Sequence, residues 1–178
     1  MYSNNIKIGQ YGRFFRDGLD LEDEYLDGIP VFIEQDWIFL KFVHDDLIII
    51  DGYTLIRVSD LSNYILKPEK SEFRMNALEL KGELNKFDHF DKETSWNGIV
   101  SYLKDNKSLG VFYTEEIDNT VCYVGQISEY DSLGFEILEI SDEGVWLDRM
   151  SLSWKEVTRI DCFGGYDSAL SLVASGKQ

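Results

Sequence analysis

Cysteine, histidine and proline each occur only twice in this sequence of 178 residues. Cys122 and Cys162 are too few for a disulfide framework and match no zinc signature, so we interpret both as small apolar residues of strands. His44 and His89 are the only imidazole bases, and neither lies in a recognisable catalytic setting. The sequence therefore predicts a protein that is not an enzyme and that has no catalytic, cofactor-binding or metal-binding residues.

Long hydrophobic runs are missing as well. The first seven residues lack the apolar stretch of a secretory signal, and the aliphatic run Leu47–Ile50 is far shorter than a membrane span. No Ser/Gly/Pro-rich linker interrupts the chain, which is therefore expected to fold continuously. These absences predict a cytoplasmic protein that does not bind membranes.

Basic side chains are scarce beside acidic ones, 17 against 33, which gives a formal net charge of −16. The summed field repels phosphate backbones and argues against nucleic-acid binding. The same field attracts a basic protein partner, although acidity of this size is also a common means of staying soluble. Four acidic residues near the N-terminus are candidate contacts for such a partner: Asp20, Glu22, Asp23 and Glu24.

Many β-branched and aromatic residues, often alternating with polar ones, predict two β-meanders. The first covers residues 31–66 and contains Asp51-Gly52, a strong signal for a hairpin turn. The second covers residues 111–163 and contains Asp118-Asn119 as a turn signal.

Helical spacing appears between the meanders and after them. One predicted helix starts near Ser71 and ends near Gly82. We expect its apolar face to be formed by Phe73, Ala77, Leu80 and Leu84. A second helix, from about residue 95, is expected to have Trp96, Ile99, Val100 and Leu103 on its apolar face. A short third helix is predicted over residues 166–173.

The two meanders align on one another at a nearly constant shift of 97 positions. Turn residues agree in this alignment as well as apolar ones, as the pairs Gly28–Gly125 and Asp51–Asp148 illustrate. The agreement predicts two related halves, each a bent antiparallel meander of about five short strands that curls into a small β-barrel.

The predicted organisation has four parts. Residues 1–27 form an N-terminal acidic segment, 28–69 the first barrel repeat, 70–108 a helical connection, and 109–178 the second barrel repeat with a C-terminal helix. The predicted fold class is therefore mainly β with a few helices (α+β), with two small barrel halves joined by a helical segment.

Two stretches of the sequence resemble a known family. Asp36-Trp37-Ile38-Phe39-Leu40-Lys41, with the residues that follow to Arg57, is similar to the first repeat of an uncharacterised family of bacterial proteins with two tandem Sm-like small β-barrels. Gly125-Gln126-Ile127, with the residues that follow to Asp161, is similar to their other repeat. The resemblance implies two Sm-like halves and no activity, cofactor or site residue. This chain lacks the basic loop of RNA-binding Sm proteins, so RNA binding is not implied.

Trp37 is out of phase with Ile38 and Leu40 in its predicted strand, which places it on the outer face as a contact anchor for a partner. The charge and this residue predict a non-enzymatic, acidic protein-interaction module. Two alternatives stay open. One is an immunity or inhibitor protein that covers a basic toxin, and the other is a regulatory domain that binds a small ligand or a peptide at a strand edge beside Trp37 or Trp146. Self-association through barrel edges is also expected.

Overall fold

Strands make up most of the ordered elements. The computed structural model describes residues 6–19, 25–34, 36–86, 90 and 95–176. These residues form ten β-strands and three α-helices, which confirms the mainly β fold class with a few helices. The chain divides into two compact units, unit 1 within Met1–Ser95 and unit 2 within Trp96–Gln178. No helix in the described ranges is long and apolar enough to cross a membrane.

Unit 1 contains five strands and one α-helix. They are β1 (Gly12–Phe15), β2 (Tyr25–Ile33), β3 (Trp37–His44), β4 (Ile49–Arg57), β5 (Asn63–Leu66) and α1 (Ser71–Leu80). The strands are antiparallel and lie in the order β5-β1-β2-β3-β4, so the fifth strand lies beside the first. The sequence analysis does not predict β1, which falls within the expected N-terminal segment.

Unit 2 contains two α-helices and five strands. They are α2 (Trp96–Asp105), β6 (Leu109–Tyr113), β7 (Cys122–Tyr130), β8 (Gly134–Ile140), β9 (Trp146–Ser153), β10 (Arg159–Cys162) and α3 (Gly165–Gly176). The strand order is β10-β6-β7-β8-β9, again antiparallel and again with the last strand beside the first. The order within unit 2 is therefore the same as the order within unit 1.

Both units interrupt their strand pairing at corresponding places. In unit 1 the register shifts between residues 30 and 32 of β2 and between residues 41 and 43 of β3. In unit 2 it shifts between residues 127 and 129 of β7 and between residues 138 and 140 of β8. The matching shifts are 97 positions apart, which is the spacing of the sequence alignment.

Two glycines on β2 and β7 occupy matching close contacts. A Cβ atom on Gly28 would lie 3.0 Å from the Lys41 carbonyl oxygen, and one on Gly125 would lie 2.6 Å from the Leu138 carbonyl oxygen. Since real Cβ atoms rarely approach a backbone oxygen so closely, each contact requires the absence of a side chain.

The prediction of a hairpin turn at Asp51-Gly52 is wrong. The chain turns over residues 45–48 instead, and Asp51-Gly52 lies within β4. There the two residues oppose the single residue Phe42 of β3. Gly52 has a φ angle of 77°, so its conformational freedom serves a β-bulge and not a turn.

The sheets are open, and the closed barrels expected from the sequence are not formed. Among the described residues, β4 pairs with β3 but not with β5, and β9 pairs with β8 but not with β10. The last strand of each unit has only four residues, and all four pair with the first strand of the unit.

The helix α1 forms where predicted, but two of the four residues expected on its apolar face are exposed. Phe73 is 62% exposed and Leu80 is 89% exposed, whereas Leu78 is fully buried. Leu78 packs with Tyr11 and neighbouring residues of the core, and Met75 packs against the same cluster. The apolar face of α2 is confirmed, because Ile99, Val100 and Leu103 are all buried.

Candidate protein-interaction site

Of the residues predicted to contact a partner, the structure describes only Trp37. Asp20, Glu22, Asp23 and Glu24 lie outside the described residues. Trp37 is only 7% exposed, so its predicted position on an outer face is wrong. The first four residues of β3 are all buried, because this strand packs on both faces and alternation no longer separates inside from outside.

The described histidine has a local structural role. His44 ends β3, and its Nδ1 accepts a hydrogen bond from the Leu47 N–H at 3.4 Å in the following turn. His89 lies outside the described residues. No group of three or more His, Cys, Asp or Glu side chains is placed to hold a metal ion in the part of the chain that the structure describes.

An acidic groove of about 590 Å³ lies in unit 2. It lies where β7 leads into β8 and where β9 ends. Four carboxylates line it: Glu129, Asp131, Glu136 and Glu156. They converge because strand pairing sets Glu129 opposite Glu136, and Glu136 opposite Ser151.

Stacked aromatic rings support the groove from below. The Phe135 ring stacks on the Trp154 ring with their centroids 4.2 Å apart, and the Trp96 ring meets Trp154 edge-on at 4.9 Å. The Trp154 indole N–H donates a hydrogen bond to the Asp131 carbonyl oxygen at 2.8 Å. Because this bond and the stacking fix the turn after β7 relative to the end of β9, the groove is a preformed surface.

The turn between β7 and β8 shapes one wall. The Asp131 carboxylate accepts hydrogen bonds from the backbone N–H groups of Leu133 (2.7 Å) and Gly134 (3.1 Å). A Cβ atom on Gly134 would lie 2.3 Å from the Leu152 carbonyl oxygen, so only glycine fits beside β9 here. The turn therefore holds the Leu133 side chain 75% exposed at the rim.

Two of the four carboxylates are paired with cations of the chain itself. Glu129 contacts the Lys104 ammonium at 2.9 Å, and Glu136 contacts the Arg149 guanidinium at 2.7 Å. Hydrogen bonds from Ser128 and Arg149 lower the pKa of Glu136 from its ordinary value. The hydrogen bond to Glu129 raises the pKa of Lys104. Both shifts favour the charged forms at neutral pH.

The other two carboxylates interact with backbone N–H groups and with no described cation. Asp131 accepts hydrogen bonds from the Leu133 and Gly134 N–H groups, and Glu156 accepts one from the Ser153 N–H at 3.1 Å. Glu156 is exposed. These two carboxylates are available for the ammonium or guanidinium group of another molecule.

The last three residues of strand β9 line the groove, and one edge of this strand is open. In the described residues its only strand partner is β8. Asp148, Arg149 and Ser151 are exposed along it, and Leu147 is 43% exposed. Trp146 begins the strand and is partly buried against the core of unit 2. Backbone groups on an open edge can pair with an extended segment of another chain.

A second charged cluster lies in unit 1 and is buried. The Arg13 guanidinium donates two hydrogen bonds of 2.7 Å to the Asp27 carboxylate, and the Tyr11 hydroxyl donates a third, also of 2.7 Å. Burial, and then this bond to Asp27, raise the pKa of Tyr11 far above its ordinary value. Arg13 also lies over the Tyr25 ring at 3.6 Å. With its polar groups satisfied internally, this cluster joins β1 to β2.

The acidic groove was not predicted from the sequence. Its four carboxylates lie within 27 positions of the sequence, but nothing in their spacing predicts that they are close in space. The Asp131 to Gly134 turn was the available signal, because an aspartate three residues before a glycine is typical of a tight turn. Comparisons with protein-family models, curated proteins and solved structures found no match for this chain.

Proposed function

We propose that this chain is a non-enzymatic protein-interaction module that binds a basic, extended segment of another protein in the acidic groove of unit 2. The observation that carries the proposal is the juxtaposition of four groove carboxylates with the open edge of β9. The partner's backbone would add to β9 as a further strand, and its Lys or Arg side chains would reach Asp131 and Glu156.

Charge supports this choice of partner. The chain carries a formal net charge of −16, so its field speeds the encounter with a basic molecule. Four carboxylates and no Lys or Arg line the groove, and only two of the four pair with cations beside it, Lys104 and Arg149. A basic segment would therefore gain contacts that a neutral or acidic segment cannot make.

A basic toxin is one partner that fits this chemistry, which would make the chain an immunity or inhibitor protein. The net charge favours this second candidate, since a protein that covers a basic surface needs complementary acidity. Loss of the toxin's activity on binding would distinguish inhibition from simple association.

We also infer that the two units are related copies of one small Sm-like fold. Identical strand orders, register shifts 97 positions apart and the matching contacts of Gly28 and Gly125 support this relationship. The sequence resemblance to tandem Sm-like repeats agrees with this proposal, although the sheet in each unit is open.

Binding of a fluorescent peptide with alternating Lys and Val tests the groove. We expect its affinity to fall as salt rises from about 50 to about 300 mM, because the groove contacts are exposed and screened. The variant D131N/E156Q removes the two groove charges proposed to contact the peptide and should bind about fivefold more weakly, from about 0.5 kcal/mol per exposed contact.

The matched control is E79Q/D105N, which has the same net charge and changes two exposed residues outside the groove. If both double variants lose the same affinity, only the overall charge matters and the groove is not the site. A peptide with alternating Glu and Val should not bind either protein. If it does bind, the charge argument is wrong.

A further inference from the structure

A row of apolar side chains crosses the three central strands of unit 1. Phe32 of β2 lies opposite Phe39 of β3, and Phe39 lies opposite Leu55 of β4. All three residues are buried, with 3% exposure or less. The Phe32 and Phe39 rings stack with their centroids 5.0 Å apart, and the Phe90 ring meets Phe39 edge-on at 5.3 Å. Phe90 follows α1 in the chain, so a later part of unit 1 covers this face of its own sheet.

The matching row of unit 2 is polar. Strand pairing sets Glu129 of β7 opposite Glu136 of β8, and Glu136 opposite Ser151 of β9. These residues follow their counterparts in unit 1 by 97, 97 and 96 positions. Glu129 and Ser151 are exposed, and all three residues line the acidic groove. The groove of unit 2 therefore lies where unit 1 has the aromatic row and the ring that covers it.

Small residues keep the groove open. Ser151 stands where unit 1 has Leu55, and Gly134 stands where unit 1 has the buried Trp37. Both small residues line the groove, which has a volume of about 590 Å³. A long side chain of a partner can therefore enter the groove and bury its apolar stem there.

The carboxylates that pair with no described cation each have a second oxygen to offer. Asp131 uses Oδ1 for both turn N–H groups, and Glu156 uses Oε2 for the Ser153 N–H. The other oxygens, Asp131 Oδ2 and Glu156 Oε1, take no part in these bonds. A guanidinium carries five N–H donors in a planar fork, whereas an ammonium is a compact point charge. Two carboxylates on different segments are therefore better bridged by arginine than by lysine.

We propose that the partner segment places an arginine side chain in the groove, at the position over the sheet that Phe90 has in unit 1. Its aliphatic stem would lie beside Ser151, and its guanidinium would donate to Asp131 and Glu156. The inference rests on the proposed function, because it names the side chain by which the basic segment is recognised.

Two fluorescent peptides test the assignment on the full chain. The first is the peptide with alternating Lys and Val, and the second has Arg in place of its central Lys. We expect the second peptide to bind the wild type about fivefold more tightly, because its guanidinium can bridge both carboxylates. Equal affinity for the two peptides overturns the assignment to arginine and leaves the proposed function standing.

The variant S151L fills the groove with the side chain that unit 1 has at this position, and it changes no charge. The preference for the Arg peptide should then fall below about twofold, because the stem of the arginine is excluded. S171L is the matched control, since Ser171 is an exposed serine of α3 outside the groove, and it should keep the full preference. If S151L keeps the preference as well, the arginine does not enter the groove and the proposal is overturned.

The variant E156Q tests the same preference without filling the groove, and it replaces S151L if that protein shows no cooperative unfolding in urea. It removes one of the two bridged carboxylates, so the preference should again fall below about twofold. E79Q, which changes an exposed glutamate of α1, should keep the preference, and an unchanged preference in E156Q would contradict the proposal. If the Lys peptide does not bind the wild type at up to about 1 mM, the proposed function fails and this inference fails with it.

Discussion

The buried cluster around Asp27 gives a sharp prediction for stability. Its carboxylate accepts three hydrogen bonds of 2.7 Å, two from Arg13 and one from Tyr11. The Asp27 side chain is 1% exposed and the Arg13 side chain 19%. D27N keeps the shape but removes the charge, and it turns an NH₂ group toward a donor. Arg13 then remains largely buried without its counter-ion.

The expected loss in the free energy of unfolding is about 2–3 kcal/mol. Breaking a fully buried ion pair costs about 3–5 kcal/mol. We expect less here because Arg13 retains some solvent exposure, lies 3.8 Å from Asp45 and still stacks on Tyr25. With an m-value of about 1.5 kcal/mol/M, the urea midpoint of unit 1 should fall by roughly 1.3–2 M.

Urea unfolding measured by circular dichroism, with hydrogen exchange of β1 and β2 peptides to isolate unit 1, provides the assay. E129Q is the control, since it breaks an ion pair whose side chains are 32% and 76% exposed and should cost less than about 0.5 kcal/mol. The double variant R13M/D27L should recover much of the loss, because no charge is left buried. If D27N and E129Q shift the midpoint equally, the reasoning about the buried pair is refuted.

Three further predictions concern the core, the strand contacts and pH. L78A should lower the free energy of unfolding, measured in urea, by about 2–4 kcal/mol, and L80A should lower it by less than about 0.5 kcal/mol. Equal losses would contradict the observation that α1 buries Leu78 and exposes Leu80. G125A should destabilise its unit by more than about 1 kcal/mol because a Cβ atom would clash with backbone, and an unchanged melting temperature would count against that contact. Burial raises the pKa of Asp167 to about 6, so protonation of this carboxyl group stabilises the native state. Its contribution is complete below about pH 4 and is lost as the pH rises through 6. Relative to D167N, the wild type should therefore lose about 2 kcal/mol of its free energy of unfolding between pH 4 and pH 7. If the difference in this free energy between the two proteins does not change with pH, Asp167 does not have the raised pKa.

Local patterns in the sequence were sufficient to predict most of the strands and all three helices. The Asp118-Asn119 turn lies between β6 and β7 as expected, and α2 buries its predicted residues. The strand β1 was missed because it has only four residues, although two of them are phenylalanines. Its place depends on pairing with β2 and β5, which is not a local property.

Positions buried by tertiary packing were the least predictable. Trp37 is buried because β3 packs on both faces, whereas the prediction from alternating residues assumes that one face of the strand is exposed to solvent. Leu80 fits a helical face by spacing, but the core of unit 1 meets α1 on the side of Leu78. The acidic groove depends on the register that sets Glu129 opposite Glu136, and a register is not fixed by composition.

The position of β5 beside β1 has a consequence for synthesis on the ribosome. Gly12 pairs with Leu66, so β1 cannot acquire its outer neighbour until more than fifty further residues have been made. At about 5–20 residues per second this interval lasts roughly 3–10 s. During that time β2, β3 and β4 can already form their local hairpins, while one edge of β1 remains exposed to chaperones and to other nascent chains. Unit 2 repeats the delay, since β6 pairs with β10, which is the last strand of the unit to be synthesised.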